Sequence, residues 1–252
     1  MISAIRSFFK QSHSVHSTYK LARDSRTIPL RVWKDPAQLL AIFKIYPETM
    51  LPIARLSDAR KAVLTINREG IEGDIVECGV WNGGCIGLMG LTDTRGRTLH
   101  LFDSFEGLPQ PTKEDSDLVS KHGAKDLVLR EDDDIRPAQA CVGNNKGGVE
   151  SFLRGIGLTN MVFHVGWFQD TVPAAKIGKI AVLRLDGDWY ESTKVCLENL
   201  YDKVVPGGFI IIDDYGCFEG CKRAVDEFFA AKKFIPEFTY SDSMCVYFRR
   251  PL

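Results

Sequence analysis

The chain has 252 residues, 44% of them hydrophobic and 26% charged, with a formal net charge of −1. That length and balance suit one substantial α/β core, with or without a small appendage. The near-neutral charge gives no electrostatic reason to expect a nucleic acid as partner, and no apolar run approaches the roughly 18 residues that cross a bilayer. Residues 1–10 hold too short an apolar stretch, broken by Arg6, for a secretory leader. A packed amphipathic helix accounts for Ile2, Ile5, Phe8 and Phe9 better than a membrane surface does. Seven scattered cysteines with no Cys-x-x-Cys pair indicate a reducing, cytoplasmic setting. His13-x-x-His16 lies in a polar stretch and reads as solvated.

In chain order, residues 1–70 read as helices and connectors, with Pro29, Pro36, Pro47 and Pro52 as breaks. They are expected to form an N-terminal helical cap or oligomerisation segment, the chain being a homo-oligomer, ahead of a main domain at 71–252. From residue 74 short apolar strands alternate with helical segments, the signal of a parallel α/β sheet. Strands are expected at 74–80, 97–103, 161–165 and 180–186, with helices at 84–91 and 191–200. Pro206-Gly207-Gly208 reads as a turn into a fifth strand ending at Asp213. A helix at 218–232 follows, with Ala224, Val225, Phe228 and Phe229 at core-facing spacing. Residues 237–249 split at Ser241-Asp242-Ser243 into two short strands; no helix fits between them, so they should be antiparallel. The polar segment 107–147 contains Glu131-Asp132-Asp133-Asp134 and Asn144-Asn145-Lys146-Gly147-Gly148. A segment so long leaving the sheet beside a ligand crevice reads as a lid or acceptor loop. The fold predicted is Rossmann-like α/β: a mostly parallel sheet with an antiparallel C-terminal strand, plus the N-terminal helical segment.

Chemistry concentrates at the strand ends, which line the crevice of an open α/β sheet. Leu185-Asp186-Gly187-Asp188 and Ile212-Asp213-Asp214-Tyr215 each close an apolar run. Four carboxylates gathered there repel one another, and a divalent cation would relieve this; all-oxygen donors favour a hard ion, Mg²⁺ foremost. The plainer account, in which each Asp caps the next helix, explains the coincidence of two clusters poorly. The first strand runs into Glu77-Cys78-Gly79-Val80-Trp81-Asn82-Gly83-Gly84, where Gly79 permits a sharp turn and close ligand approach. Asp103, closing the second strand, is placed to accept hydrogen bonds from ribose hydroxyls. Such a pair fits NAD or S-adenosylmethionine. The spacing Gly79-x-x-x-Gly83-Gly84 departs from the dinucleotide pattern Gly-x-Gly-x-x-Gly, and Glu77 could meet the positive charges of the methyl donor. Tyr190-x-x-x-Lys194 matches a short-chain dehydrogenase pattern, but Ile177 stands where those enzymes resemble one another in a Ser.

As an ordered set, residues 73–84, 101–109, 166–171, 185–193 and 206–215 resemble the macrocin and mycinamicin sugar O-methyltransferase family. Those are Mg²⁺- and S-adenosylmethionine-dependent enzymes with a class I methyltransferase fold. The resemblance implies metal ligands at Asp186, Asp213 and Asp214 and a general base at Asp188. It implies donor contacts from Glu77, Gly79, Asp103 and Ser104, with Phe168 and Gln169 flanking the adenine. A small-molecule sugar or glycoside is the implied acceptor. A catechol-like or other small vicinal diol is the alternative within this fold; an NAD-dependent oxidoreductase would leave the acid tetrad unexplained, and a catalytically silent nucleoside-binding subunit forms a further class.

Overall fold

A computed structural model of the chain describes residues 35–112, 114–115 and 143–251. The expectations for Ile2, Ile5, Phe8 and Phe9, for His13 and His16, and for the acidic run at 131–134 lie outside those residues, as does most of the expected lid.

Seven strands make one sheet in the order β3-β2-β1-β4-β5-β7-β6. They are β1 (Asp74–Cys78), β2 (Leu99–Asp103), β3 (Met161–Val165), β4 (Ile180–Leu185), β5 (Val204–Ile212), β6 (Thr239–Tyr240) and β7 (Val246–Arg249). The first five pair in parallel, β7 runs antiparallel to β5, and β6 antiparallel to β7. All six residues of β4 are buried, as a strand covered by helices on both faces must be. Strand order reverses between β1 and β4, so their C-terminal ends open the crevice where such sheets hold ligands.

One face carries α1 (Pro36–Ile45), α2 (Ile53–Glu69), α3 (Gly84–Thr92) and α4 (Lys146–Gly155). The other carries α5 (Phe168–Ala174), α6 (Tyr190–Leu200) and α7 (Glu219–Ala231). Helix α1 starts at Asp35, whose side chain accepts from the Gln38 N–H at 3.0 Å, an N-cap. In α2, Leu56, Ala59, Val63 and Ile66 recur at helical spacing and are buried in the same core cluster as Ile75, Leu88 and Ala181. The helix stops at Gly70, whose left-handed φ of +70° closes it. The described part of the N-terminal segment is thus built into the core beside the sheet. The six described cysteines are free thiols, five of them buried.

Three local readings change. Helix α4 begins inside the stretch expected to be loop: Asn145 caps it by accepting from Gly148 N–H at 2.9 Å, and Val149 and Leu153 bury its apolar stripe, which outweighs the poor helix propensity of Gly147 and Gly148. Helix α5 adds an element without a periodic signal in the sequence, being only seven residues long with Pro173 inside it. Pro206-Gly207-Gly208 lies within β5 as a bulge: Ile180 pairs with Val204 but Val182 with Phe209, and Gly207 sits at φ +82°. Of the residues expected to face the core from α7, Ala224, Val225 and Phe229 are buried and Phe228 partly so.

Candidate active site

The turn after β1 is shaped by the strand beside it. Gly79 has φ +90°, and a Cβ there would stand 1.9 Å from the Asp186 carbonyl oxygen, so the glycine answers to the end of β4. Asp103 closes β2 and holds this turn: its Oδ2 accepts from the main-chain N–H groups of Val80 (2.7 Å) and Trp81 (3.0 Å), and its Oδ1 from that of Phe105 (2.7 Å). Three of roughly four acceptor positions on the carboxylate are therefore in use. Ser104 is buried beside it, donating to the Gly107 carbonyl at 3.2 Å.

The acids after β4 and β5 come together. Asp186, Asp213 and Asp214 each offer an oxygen within 4.8 Å of the others. Two buried arginines thread between them. Arg184, inside β4, places Nη1 2.8 Å from Glu77 Oε1 and Nη2 2.8 Å from both Asp186 Oδ2 and Asp213 Oδ1. Arg55, on α2, places Nη1 2.5 Å from Asp213 Oδ2 and Nε 2.6 Å from Asp242 Oδ2. Asp188 takes the left-handed φ of +57° and donates its main-chain N–H to Asp214 Oδ2 at 3.2 Å. Such backbone conformations persist where surrounding structure enforces them, often at sites. Burial, then repulsion from Asp186 and Asp213, pushes the Asp188 carboxyl up to about 8. Burial, then the neighbouring acids, raises Asp214 as well; burial also raises Asp186, against the pull of Arg184. Two guanidinium groups do not neutralise the four acids Asp186, Asp188, Asp213 and Asp214, and the buried Asp213 Oδ1 has no hydrogen bond. This donor set suits a hard divalent cation.

Two cavities meet here. One is lined by Gly79, Asp103, Ser104, Trp167, Phe168 and Gln169, aromatic walls with polar handles that suit a nucleoside. The other lies over Arg55, Arg184, Asp213, Asp214, Cys217 and Phe218. Met50, Gly79, Trp81, Asp186 and Asp188 line both. Residues 44–250 match the macrocin-O-methyltransferase (TylF) family. The chain belongs to that family. It is 37% identical over 210 residues to mycinamicin III 3''-O-methyltransferase of Micromonospora griseorubida, covering 80% of this chain and 78% of that one. It is 36% identical over 202 residues to a Streptomyces olivaceus enzyme, 8-demethyl-8-(2,3-dimethoxy-alpha-L-rhamnosyl)-tetracenomycin-C 4'-O-methyltransferase, covering 77% and 72%. Among solved structures, the O-methyltransferase NovP matches with a TM-score of 0.68 at 36% identity, covering 81% of this chain and 83% of that one. The protein is an O-methyltransferase with the class I, S-adenosylmethionine-dependent fold.

Of the residues that the family pattern singles out, Gly79, Asp103, Ser104, Phe168 and Gln169 line one cavity. Glu77 is placed differently. It is wholly buried, with Oε1 on Arg184 at 2.8 Å and Oε2 accepting from Ile86 N–H at 3.0 Å at the start of α3, so both oxygens are spent on protein. Its partner Arg184 carries one signal in the sequence, a cation inside an otherwise apolar strand. Arg55 gave no such signal, being one of several basic residues along α2. Tyr190, of the dehydrogenase-like pattern, donates its hydroxyl to Glu227 on α7 at 2.6 Å. The entry to the 107–147 segment is fastened near the acids: Trp189 Nε1 donates to the Pro109 carbonyl at 2.9 Å, and Tyr190 N–H to Asp115 Oδ1 at 2.8 Å. Its exit is held by Asn82, whose Oδ1 accepts from Asn144 N–H at 2.6 Å. Among the described residues no helix is long and apolar enough to cross a membrane.

Proposed function

We propose that the chain methylates a hydroxyl of a small-molecule sugar or glycoside, using S-adenosylmethionine and Mg²⁺, in the cytoplasm. The observation that carries this reading is the junction of a nucleoside-shaped cavity with an acid-lined one at Asp186 and Asp188. A donor in the first then faces an acceptor in the second. The relative named for the 4' position of a rhamnosyl group supports a sugar as acceptor.

In this reading Asp103 and Ser104 receive the ribose, Phe168 and Gln169 flank the adenine, and Gly79 leaves the donor room beside the acids. Asp186, Asp213 and Asp214 would hold the ion. Bound there, Mg²⁺ would act as Lewis acid and template for two neighbouring hydroxyl oxygens. Asp188 takes the hydroxyl proton while that oxygen attacks the donor's methyl carbon in line; the carbon–sulfur bond breaks and its electron pair stays on the uncharged thioether. The main-chain N–H of Asp188 is held by Asp214 Oδ2, and its carboxylate is not part of the oxygen cluster formed by Asp186, Asp213 and Asp214, which supports a base rather than a ligand. Glu77 acts through Arg184, without touching the donor. The walls given by Trp81, Trp167 and Met50 limit water around the reacting atoms.

The test is methyl transfer from labelled S-adenosylmethionine to nucleotide sugars, glycosides and catechols, read by mass spectrometry. Gain of one methyl group on a sugar is expected. Methylation of the catechols alone would replace the sugar reading with a vicinal-diol one, and nicotinamide-dependent oxidation without methyl transfer would end both.

A further inference from the structure

Each proposed metal-binding carboxylate has at least one oxygen engaged by the protein. Asp214 Oδ2 accepts from Asp188 N–H, and Asp186 Oδ2 lies against Arg184. The engagement is strongest at Asp213, which is buried and whose Oδ2 meets Arg55 Nη1 at 2.5 Å. Arg55 is itself held by Asp242 Oδ2 at 2.6 Å, and Asp242 Oδ1 accepts from the main-chain N–H groups of Met244 (2.8 Å) and Cys245 (2.9 Å). A chain of charge-assisted hydrogen bonds therefore runs from the turn between β6 and β7, through a residue of α2, to one oxygen of Asp213. The other oxygen, Oδ1, is buried and lies 2.8 Å from Arg184 Nη2 without the geometry of a hydrogen bond, so it is the oxygen left to turn toward a cation.

We infer that Arg55 sets the metal selectivity of this site by allowing Asp213 to give a cation only one oxygen. The inference rests on the proposed Mg²⁺ reading and goes beyond it. Mg²⁺ takes few, single-oxygen carboxylate ligands and keeps other positions for water or substrate; Ca²⁺ takes more oxygens and readily accepts both from one carboxylate. With Oδ2 fastened to Arg55, the two-oxygen mode is closed at Asp213. Two acceptor hydroxyls and a water would then complete the octahedral shell of a small ion, whereas a large one would stay short of ligands.

The experiment is calorimetric titration of the full chain with MgCl₂ and with CaCl₂, without acceptor, for the natural protein, Arg55→Met and Asp242→Ala. Both ions are divalent, so the lost guanidinium charge shifts both affinities alike and cancels in their ratio. The natural protein should bind Mg²⁺ more tightly than Ca²⁺. In Arg55→Met the ratio of the Ca²⁺ to the Mg²⁺ dissociation constant should fall about tenfold or more, the scale on which partners of metal ligands act. Asp242→Ala, which loosens Arg55 without removing it, should move the ratio the same way by less; it carries the test if thermal melting shows Arg55→Met unfolded. An unchanged ratio in a folded variant, or a natural preference for Ca²⁺, overturns the inference and leaves the metal site standing. A natural protein that binds neither ion overturns the metal reading itself.

Discussion

At Asp188 backbone and side chain serve different neighbours: the N–H is spent on Asp214, and the carboxyl, raised by burial and by its acidic neighbours, would be brought back to its ionised form by a bound divalent cation and is left for the acceptor. Asp188→Asn should therefore lower turnover by about 10²–10⁴, the usual worth of a positioned general base. Calorimetry with S-adenosylhomocysteine and Mg²⁺ should show both still bound; loss of the ion would make Asp188 a ligand. Asp103 joins a ribose role to three main-chain hydrogen bonds, so Asp103→Ala should weaken S-adenosylhomocysteine and also cost roughly 2–4 kcal/mol of stability through the orphaned N–H groups. Denaturant titration beside the binding assay separates the two, and unchanged stability would return Asp103 to a purely ligand-facing role. Away from the site, His164 stacks on Phe102 with ring centroids 4.0 Å apart and hydrogen-bonds His100. Burial, then the His100 charge, lowers it from 6.5 to about 4. Between those values the unfolded chain binds a proton the folded chain refuses, so stability holds above the upper value and falls as pH drops toward the lower. The melting temperature should decline over that interval, and more shallowly in His164→Gln; an equal slope would place the titrating group elsewhere. The carboxylates themselves were legible in the sequence because each ends an apolar run, but hydrogen bonds such as these join residues far apart in the chain.

The elements carry the site by what they bring to one another. Strand β4 delivers Asp186 and Asp188 at its tip and Arg184 within it, and Glu77 on β1 supplies the counter-charge at 2.8 Å. Removing one partner of a buried pair leaves an uncompensated charge and costs about 3–5 kcal/mol. Glu77→Ala should lose stability on that scale while the affinity for S-adenosylhomocysteine in the folded fraction stays close to normal. A large loss of donor affinity at unchanged melting temperature would restore the donor contact that the motif suggested. Helices α4 and α5 escaped the sequence reading for physical reasons: one opens with two glycines under an Asn cap, and the other is too short to show a period. The bulge in β5 looked like a turn because Pro206-Gly207-Gly208 has turn composition; pairing on both sides keeps it within the strand.

For the whole molecule, the two cavities are lined mainly by different strand ends and meet at Asp186 and Asp188. Chelation should therefore abolish turnover, leave S-adenosylhomocysteine affinity nearly unchanged, and be reversed by Mg²⁺. Full activity of metal-free protein in excess chelator would remove the ion from the mechanism. The parallel sheet, its antiparallel ending, and the acids and glycines at its strand tips were readable in the chain itself. Apolar runs and glycine-marked turns are local patterns, and a strand's end fixes which residues face the crevice. The tertiary structure alone decided that α2 sends Arg55 to Asp213, that Glu77 is turned into the core, and that Gly79 is required by the Asp186 carbonyl. Each of those depends on which distant segments share a buried, low-dielectric space, where a charge must find its partner.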